Sequence, residues 1–250
     1  MLLPNPKDAI HKAWLYRILV VIADDNELVS CFRFKGGTCA AMLGYLDRFS
    51  IDLDFDLLTK KNKIPWIRKR LEYYFKDLGL VIRDKSRIGV QYFLKYPAPT
   101  KRERNTIKLD TLIPLPLHNQ YEAKYLPEID RTFLCQTIET MFANKLVALI
   151  DRYEKQKSIA GRDVYDIHHF FLEGYRYDFR IIEERRKSNV ADFLSNLIAF
   201  IETHINQDLL DQDLNPLISY AEFRTIRKTL KRECILLLKD ELRRLPTCTR

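Results

Sequence analysis

The sequence has no closely spaced cysteine pair, no long apolar run, no internal repeat and no low-complexity tract. Five cysteines, Cys31, Cys39, Cys135, Cys234 and Cys248, are scattered and odd in number. That pattern argues against a disulfide framework and against a zinc site, so reduced, mostly buried thiols in a cytosol are expected. Seven residues separate Cys31 from Cys39 and match no redox motif. The longest apolar stretch near the start, Ile18 to Ala23, is far too short to span a bilayer, and no membrane partner is expected. Met1 to Ile10 contains two prolines and no apolar core, so no signal peptide is expected and the protein is read as cytoplasmic. Hydrophobic residues make up 46% of the 250, enough for a sizeable core in one large domain or two small ones. The formal charge of +8 permits a polyanionic partner without establishing one.

The stretch from Phe34 to Phe55 carries the clearest chemistry. Gly36-Gly37-Thr38 precedes an Asp-x-Asp pair, Asp52 and Asp54. A glycine-rich turn that opens a helix offers bare backbone N–H groups to a phosphate. Two carboxylates two apart on a strand share one face and suit a hard divalent cation such as Mg²⁺. Alone, Gly-Gly is an ordinary turn. Together, the two elements point to nucleotidyl or phosphoryl transfer, because a central apolar strand has no structural use for adjacent like charges. On this reading a bulky residue at Gly37 would occupy phosphate space.

Periodicity gives the coarse layout. Helical spacing covers Ala9 to Ala23, with Ile10, Ala13, Trp14, Ile18 and Val21 as the apolar set and Asp8 or a neighbour as the cap. Cys31 to Lys35 reads as a short strand, and Thr38 to Leu46 as a helix with Thr38 as N-cap. Ile51 to Leu57 alternates strictly, with Asp52, Asp54 and Asp56 on one face. Ile64 to Leu78 reads as an amphipathic helix ended by Gly79. Leu80 to Arg83, Ile88 to Tyr96 and Asn105 to Ile113 read as strands, with Pro97, Pro99, Pro114 and Pro116 in the loops. From about Phe133 the pattern turns helical: Thr137 to Tyr153, Asp163 to Leu172, Phe179 to Arg186, Val190 to Ile205 and Tyr220 to Leu242. The fold expected is α+β over residues 1–132, followed by a helical domain over 133–250.

Two-metal nucleotidyl transfer calls for a third carboxylate on a neighbouring strand. Asp110, in Thr106 to Thr111, has the parity for it, although an exposed strand-end aspartate fits the spacing equally well. Asp56 ranks lower, one pleat farther from the glycines. Lys145 and Arg152 lie near one helix face, where a solvated lysine is the plainer reading of Lys145. Asp163 and Asp166 sit at a helix start, where capping is the plainer reading. His168 and His169 point about 100° apart and make no bidentate metal site. Basic residues group twice. Arg224, Arg227, Lys228, Lys231 and Arg232 form a stripe on the last helix. Lys60, Lys61, Lys63, Arg68, Lys69 and Arg70 cluster beside the Asp-x-Asp strand. Both are either solvated faces or phosphate-binding surfaces.

Five segments in this order resemble the AbiEii/AbiGii toxin family of nucleotidyltransferases, relatives of the MenT toxins. They are K-G-G-T from Lys35, R-F-S-I-D-L-D-F from Arg48, I-K-L-D from Ile107, N-K-L-V-A-L from Asn144 and R-D-V-Y-D-I from Arg162. The resemblance spans about Leu15 to Phe171. It implies a DNA-polymerase-β-like nucleotidyltransferase fold with a mixed sheet, followed by a helical C-terminal domain. It implies a bacterial toxin–antitoxin (abortive-infection) toxin, an NTP substrate and Mg²⁺ (or Mn²⁺). It implies RNA as acceptor, tRNA for some relatives, and a cognate antitoxin protein. Carried over, Gly36, Gly37 and Thr38 form the phosphate turn, and Asp52 and Asp54 hold metal. Asp110 matches the third carboxylate, Lys145 contacts the nucleotide, and Asp163 is the essential acid of the last motif. Lys145 and Asp163 are then expected to face the cleft lined by Asp52 and Asp54, with little effect of Lys145→Ala on stability. Arg152 and Lys155 remain second-tier candidates. The rival readings are a small-molecule nucleotidyltransferase and a non-catalytic nucleotide-binding module of the same fold.

Overall fold

The computed structural model describes residues 1, 3–97 and 104–245, so Pro99 and Cys248 lie outside the described residues. The chain divides into two compact units. One comprises residues 1–115 and 120–137, the other 116–119 and 138–250. The first unit thus reaches Thr137 rather than residue 132, because its last strand runs past that point.

The first unit is a mixed seven-stranded sheet with helices, an α+β architecture. The strands are β1 (Phe32–Lys35), β2 (Leu53–Leu57), β3 (Val81–Lys85), β4 (Tyr92–Lys95), β5 (Thr106–Leu112), β6 (Tyr121–Leu126) and β7 (Arg131–Gln136). They lie in the order β3-β4-β5-β2-β1-β7-β6. Strands β2 and β5 run parallel, as do β1 and β7, whereas the other pairs are antiparallel. Phe32, Phe34, Phe55 and Phe133 are buried and pack ring against ring beneath the central strands. Each such ring contributes about 1.5–3 kcal/mol by leaving water, so this cluster pins the register of β1, β2 and β7.

Helix α1 (Asp8–Ala23) buries His11, Leu15, Ile18, Leu19 and Ile22. Its inward face is therefore turned from the expected one, since Ile10 is exposed. Asp8 is the first helical residue and Lys7 stands at the cap without a side-chain bond. A short helix unseen in the sequence, α2 (Asn26–Cys31), is capped by Asp25, which accepts from the amides of Glu27 and Leu28. It takes Cys31 out of β1. Helix α3 (Gly36–Met42) starts two residues before Thr38, which is therefore inside the helix and not its cap. Helix α4 (Ile64–Asp77) has Pro65 in its first turn, buries Ile64, Ile67, Leu71 and Phe75, and ends before Gly79 at φ +74°.

The second unit is helical: α5 (Ile138–Gln156), α6 (Gly161–Leu172), α7 (Phe179–Arg186), α8 (Val190–His204), α9 (Gln207–Leu214), α10 (Tyr220–Ile226) and α11 (Leu230–Arg244). The long last helix expected from the sequence is two helices. The basic stripe is broken with it. Arg227 is ion-paired to Asp211, and Lys231 donates to the carbonyls of Glu202 and Ile205. The four described cysteines are free and buried, as expected. Among the described residues no helix is long and apolar enough to cross a membrane.

Candidate active site

Lys35, Asp54 and Asp110 form one row across three adjacent strands. Lys35 is the register partner of Asp54 on β1, and Asp110 is its partner on β5. In-register neighbours share a face, so the sheet sets two carboxylates side by side. Asp54 is held above the usual carboxylate range, first by burial, then by the negative charge of Asp52. Lys35 opposes this, Asp110 adds to it and Lys108 opposes it again. A cluster that penalises its own charge is suited to receive a cation.

Strand β2 begins at Leu53, one residue after Asp52, so the backbone at Ile51 and Asp52 lies outside the ladder. Two side chains take the place of ladder donors. His11 Nε2 donates to the Ile51 carbonyl at 2.9 Å, and Thr38 Oγ1 donates to the Asp52 carbonyl at 2.5 Å. Thr38 thus acts on the carboxylate segment directly, a role its position as a supposed cap concealed. In the neutral ring, His11 Nδ1 accepts from Tyr96, 2.8 Å away, whose hydroxyl proton is shared with the Arg104 carbonyl.

Burial pushes the His11 pKa down from 6.5 to about 4, the bond to Ile51 opposes the shift and Arg104 adds to it. Between those values the unfolded chain binds the proton that the folded chain refuses. Stability is therefore full above pH 6.5 and is lost as pH falls towards 4. The expected loss is about 3 kcal/mol at most. Denaturant midpoints across this range should slope less in His11→Gln than in the parent. Parallel slopes would show that His11 is not the titrating group.

The two glycines have different surroundings. Gly36 has φ +77°, and a Cβ there would lie 2.6 Å from Asp54 Oδ2 and 2.9 Å from Asp54 Cβ. Only glycine lets this carboxylate rest against the backbone. A Cβ at Gly37 would instead meet Arg48 Nη2 and Ser50 Oγ, each at 2.9 Å. A substituent at Gly37 would therefore press first on the ends of the Arg48 and Ser50 side chains.

Asp56 is fully buried. It binds Lys35 Nζ at 2.5 Å, Tyr121 Oη at 2.8 Å and Gln136 Nε2 at 2.6 Å, tying β2 to β1, β6 and β7. That makes it an anchor for the sheet. Asp110 is also engaged, by Gln91 Nε2 at 3.0 Å and Lys108 Nζ at 2.5 Å. Among the described residues no group of three or more His, Cys, Asp and Glu is placed to hold a metal ion. The carboxylates that could serve a hard divalent cation are Asp52 and Asp54, with Asp110 in register beside Asp54.

The second unit carries its own buried charge network. Lys145 Nζ lies 2.9 Å from both Asp163 Oδ1 and Asp166 Oδ2, and both carboxylates are fully buried. Arg152 Nη2 approaches Asp163 at 3.5 Å. Burial alone would raise the Asp163 pKa, but Lys145 and Arg152 together hold it below the usual range. Neither aspartate is a solvated cap, and Lys145 is not a solvated lysine. Gly161 at the start of α6 donates instead to Asp213, at 2.6 Å. Lys155 pairs loosely with Asp151 at 3.8 Å and takes no part in the network. His168 is buried, with Nε2 2.9 Å from Glu233 Oε2.

Residues 17–233 match the family model described as nucleotidyl transferase AbiEii toxin, type IV TA system. The chain belongs to this family. It is therefore a toxin nucleotidyltransferase of a type IV toxin–antitoxin system, and membership implies an NTP donor and an antitoxin counterpart. A search among curated proteins found no match. Two solved structures are similar in fold. One is JHP933 from Helicobacter pylori, with TM-score 0.58 and 22% identity, covering 96% of this chain and 94% of that one. The other is described as a putative nucleotidyltransferase from H. pylori, with TM-score 0.57 and 24% identity, covering 96% and 98%. In this family member, His11 lies ahead of the matched segment. Its bond to Ile51 was invisible in the sequence because an apolar helix face gives no sign of which carbonyl a buried histidine meets.

Proposed function

We propose that this toxin transfers nucleotides from an NTP to RNA, with tRNA the favoured acceptor, in the cytoplasm and with Mg²⁺ or Mn²⁺. The observation that carries this is the row of Lys35, Asp54 and Asp110, with Asp52 one step ahead and Gly36 packed against Asp54. Asp52 and Asp54 would hold the metal, and Asp110 would join them by exchanging Lys108. A bound divalent ion would neutralise charge that develops on the phosphates and favour ionisation of the attacking hydroxyl. Lys35 and Lys108 limit the repulsion between the carboxylates before a cation arrives. Gly36, Gly37 and Thr38 form the turn assigned to the nucleotide. His11 and Thr38 hold the backbone that sets the aim of Asp52. In the second unit Lys145 is the charge assigned to the triphosphate, with Asp163 orienting it.

The test is incubation of purified protein with total RNA and each labelled NTP in turn, with Mg²⁺ and with a chelator. Metal-dependent labelling of RNA is expected. Labelling of a small-molecule acceptor alone would favour the small-molecule reading. No labelling with any NTP and either metal would favour a non-catalytic module.

A further inference from the structure

The beginning of α4, the loop between β3 and β4 and the end of β5 surround a cavity of about 810 Å³. Its wall carries Lys61, Arg68, Lys69 and Arg87. Its one carboxylate, Glu72, is already engaged by Lys85 at 2.8 Å and by the Tyr92 hydroxyl at 3.0 Å. Among the described residues no carboxylate lies within ion-pair distance of Lys61, Lys69 or Arg87. The other basic group of the chain differs: there Arg227 and Lys231 are committed to Asp211 and to backbone carbonyls. Arg70, one residue after Lys69, is likewise committed to Asp25 at 2.6 Å and does not line the cavity.

The floor and rim are apolar. Ile113 and Pro114 lie at the end of β5, and Ile88 on the β3–β4 loop is 89% exposed. Thr111 follows Asp110 directly and continues the parity of the buried Ile107 and Leu109, so it faces the opposite side of the sheet from Asp110. Thr111 belongs to the cavity lining, but its hydroxyl is itself enclosed, with no hydrogen-bond partner among the described residues. Cations with no uncommitted carboxylate beside them and an exposed apolar edge match a nucleic-acid strand, which presents phosphates and base faces together.

We propose that this groove binds a single-stranded segment of the acceptor RNA through its phosphates, on the face of the sheet opposite Asp110. This rests on the reading of RNA as acceptor. Charge attracts the strand without reading its sequence, and Ile88 gives one base an apolar surface.

The probe is a fluorescent twelve-nucleotide oligouridylate, titrated at several salt concentrations against the full chain. In Lys61→Glu/Lys69→Glu, two exposed cations are reversed. Affinity should fall by about tenfold or more, and the slope of log Kd against log salt should flatten by roughly 1.4. Binding of ATP with Mg²⁺ should be unchanged. Arg224→Glu/Arg232→Glu makes the same change in net charge on α10 and α11 and should have a much smaller effect. Equal losses in the two charge-reversed proteins would reduce the effect to net charge and overturn the proposal. So would unchanged affinity in folded Lys61→Glu/Lys69→Glu, or binding of polyglutamate in place of RNA. Labelling of RNA that survives the groove variants undiminished would reject the groove and leave the reading of RNA transfer standing. Groove-dependent oligonucleotide binding by a protein that labels no RNA would do the reverse.

Discussion

Asp54→Asn is expected to abolish nucleotide transfer and to melt at a higher temperature than the parent. The two effects have one origin. Asp54 sits beside Asp52 and Asp110, and burial together with the Asp52 charge holds its pKa above the usual value. A raised folded pKa means that the folded chain binds the proton more tightly than the unfolded chain does. The contribution of this carboxylate to stability therefore falls as pH rises, and at neutral pH its charge is carried at a cost. Asparagine removes the charge and keeps the shape. Transfer loses a metal-binding carboxylate, a matter of several kcal/mol in the transition state, or about a thousandfold in rate. Steady-state transfer and thermal unfolding of the same preparation measure both. Full activity in the folded variant would remove Asp54 from the site. A lower melting temperature would show that Lys35 and Lys108 already compensate its charge. Asp52→Asn should lose transfer equally.

Lys145→Ala is expected to lose transfer and also to lose several kcal/mol of stability, against the small stability change expected from the sequence. The geometry decides this. One ammonium group serves two fully buried carboxylates at 2.9 Å each. Deleting one member of such a network leaves uncompensated charge in the interior, at a cost of roughly 3–5 kcal/mol. For a chain of this length that corresponds to a fall in melting temperature of roughly 10 °C. Thermal unfolding checks the stability. Transfer measured well below the melting point, with the folded fraction known, checks the chemistry. Lys145→Ala/Asp166→Asn should recover part of the stability and none of the transfer. Recovery of transfer with stability would show that Lys145 acts only as a prop. In the parent, the depressed Asp163 pKa adds a second signature. Stability from this pair is present above the ordinary Asp value of 3.8 and is lost as pH falls through the lower folded value.

The sequence was most legible where one face of an element is apolar and the other is not. Helix α7 lies at its expected bounds, and α8 ends one residue short of them. The Asp-x-Asp strand shows the expected alternation from Leu53 to Phe55, whereas Asp56 is buried and breaks it. Strands β6 and β7 were missed for an opposite reason. Among the described residues β6 pairs only with β7, and it carries Tyr121, Glu122, Lys124 and Tyr125, so its pattern resembles a loop. The break between α10 and α11 was missed because Arg227, Lys228 and Thr229 include no glycine or proline. Helix α9 is short and begins with a polar Asn206 cap, which looks like a turn. Within the candidate site, residue types disclosed the carboxylates but not their partners. Spacing ranked Asp56 below Asp54 by its distance from the glycines, but gave no sign that three partners lock it into the sheet. By spacing alone Lys145, Asp163 and Asp166 read as surface and capping residues; the resemblance singled out Lys145 and Asp163, and their burial with Asp166 makes the three one network.

The strand order has a consequence for how the protein is made. Asp54 gains its neighbour Asp110 only when β5 has joined β2, and β1 gains its second neighbour through Phe34 and Cys135, about a hundred residues apart. Such distant pairings close late, because the intervening chain must first give up its freedom. A ribosome delivers the glycine turn and the Asp-x-Asp pair early and the strands that frame them much later. A nascent chain therefore carries its most recognisable motif without a complete sheet to set its register until the strand ending at Gln136 has been translated.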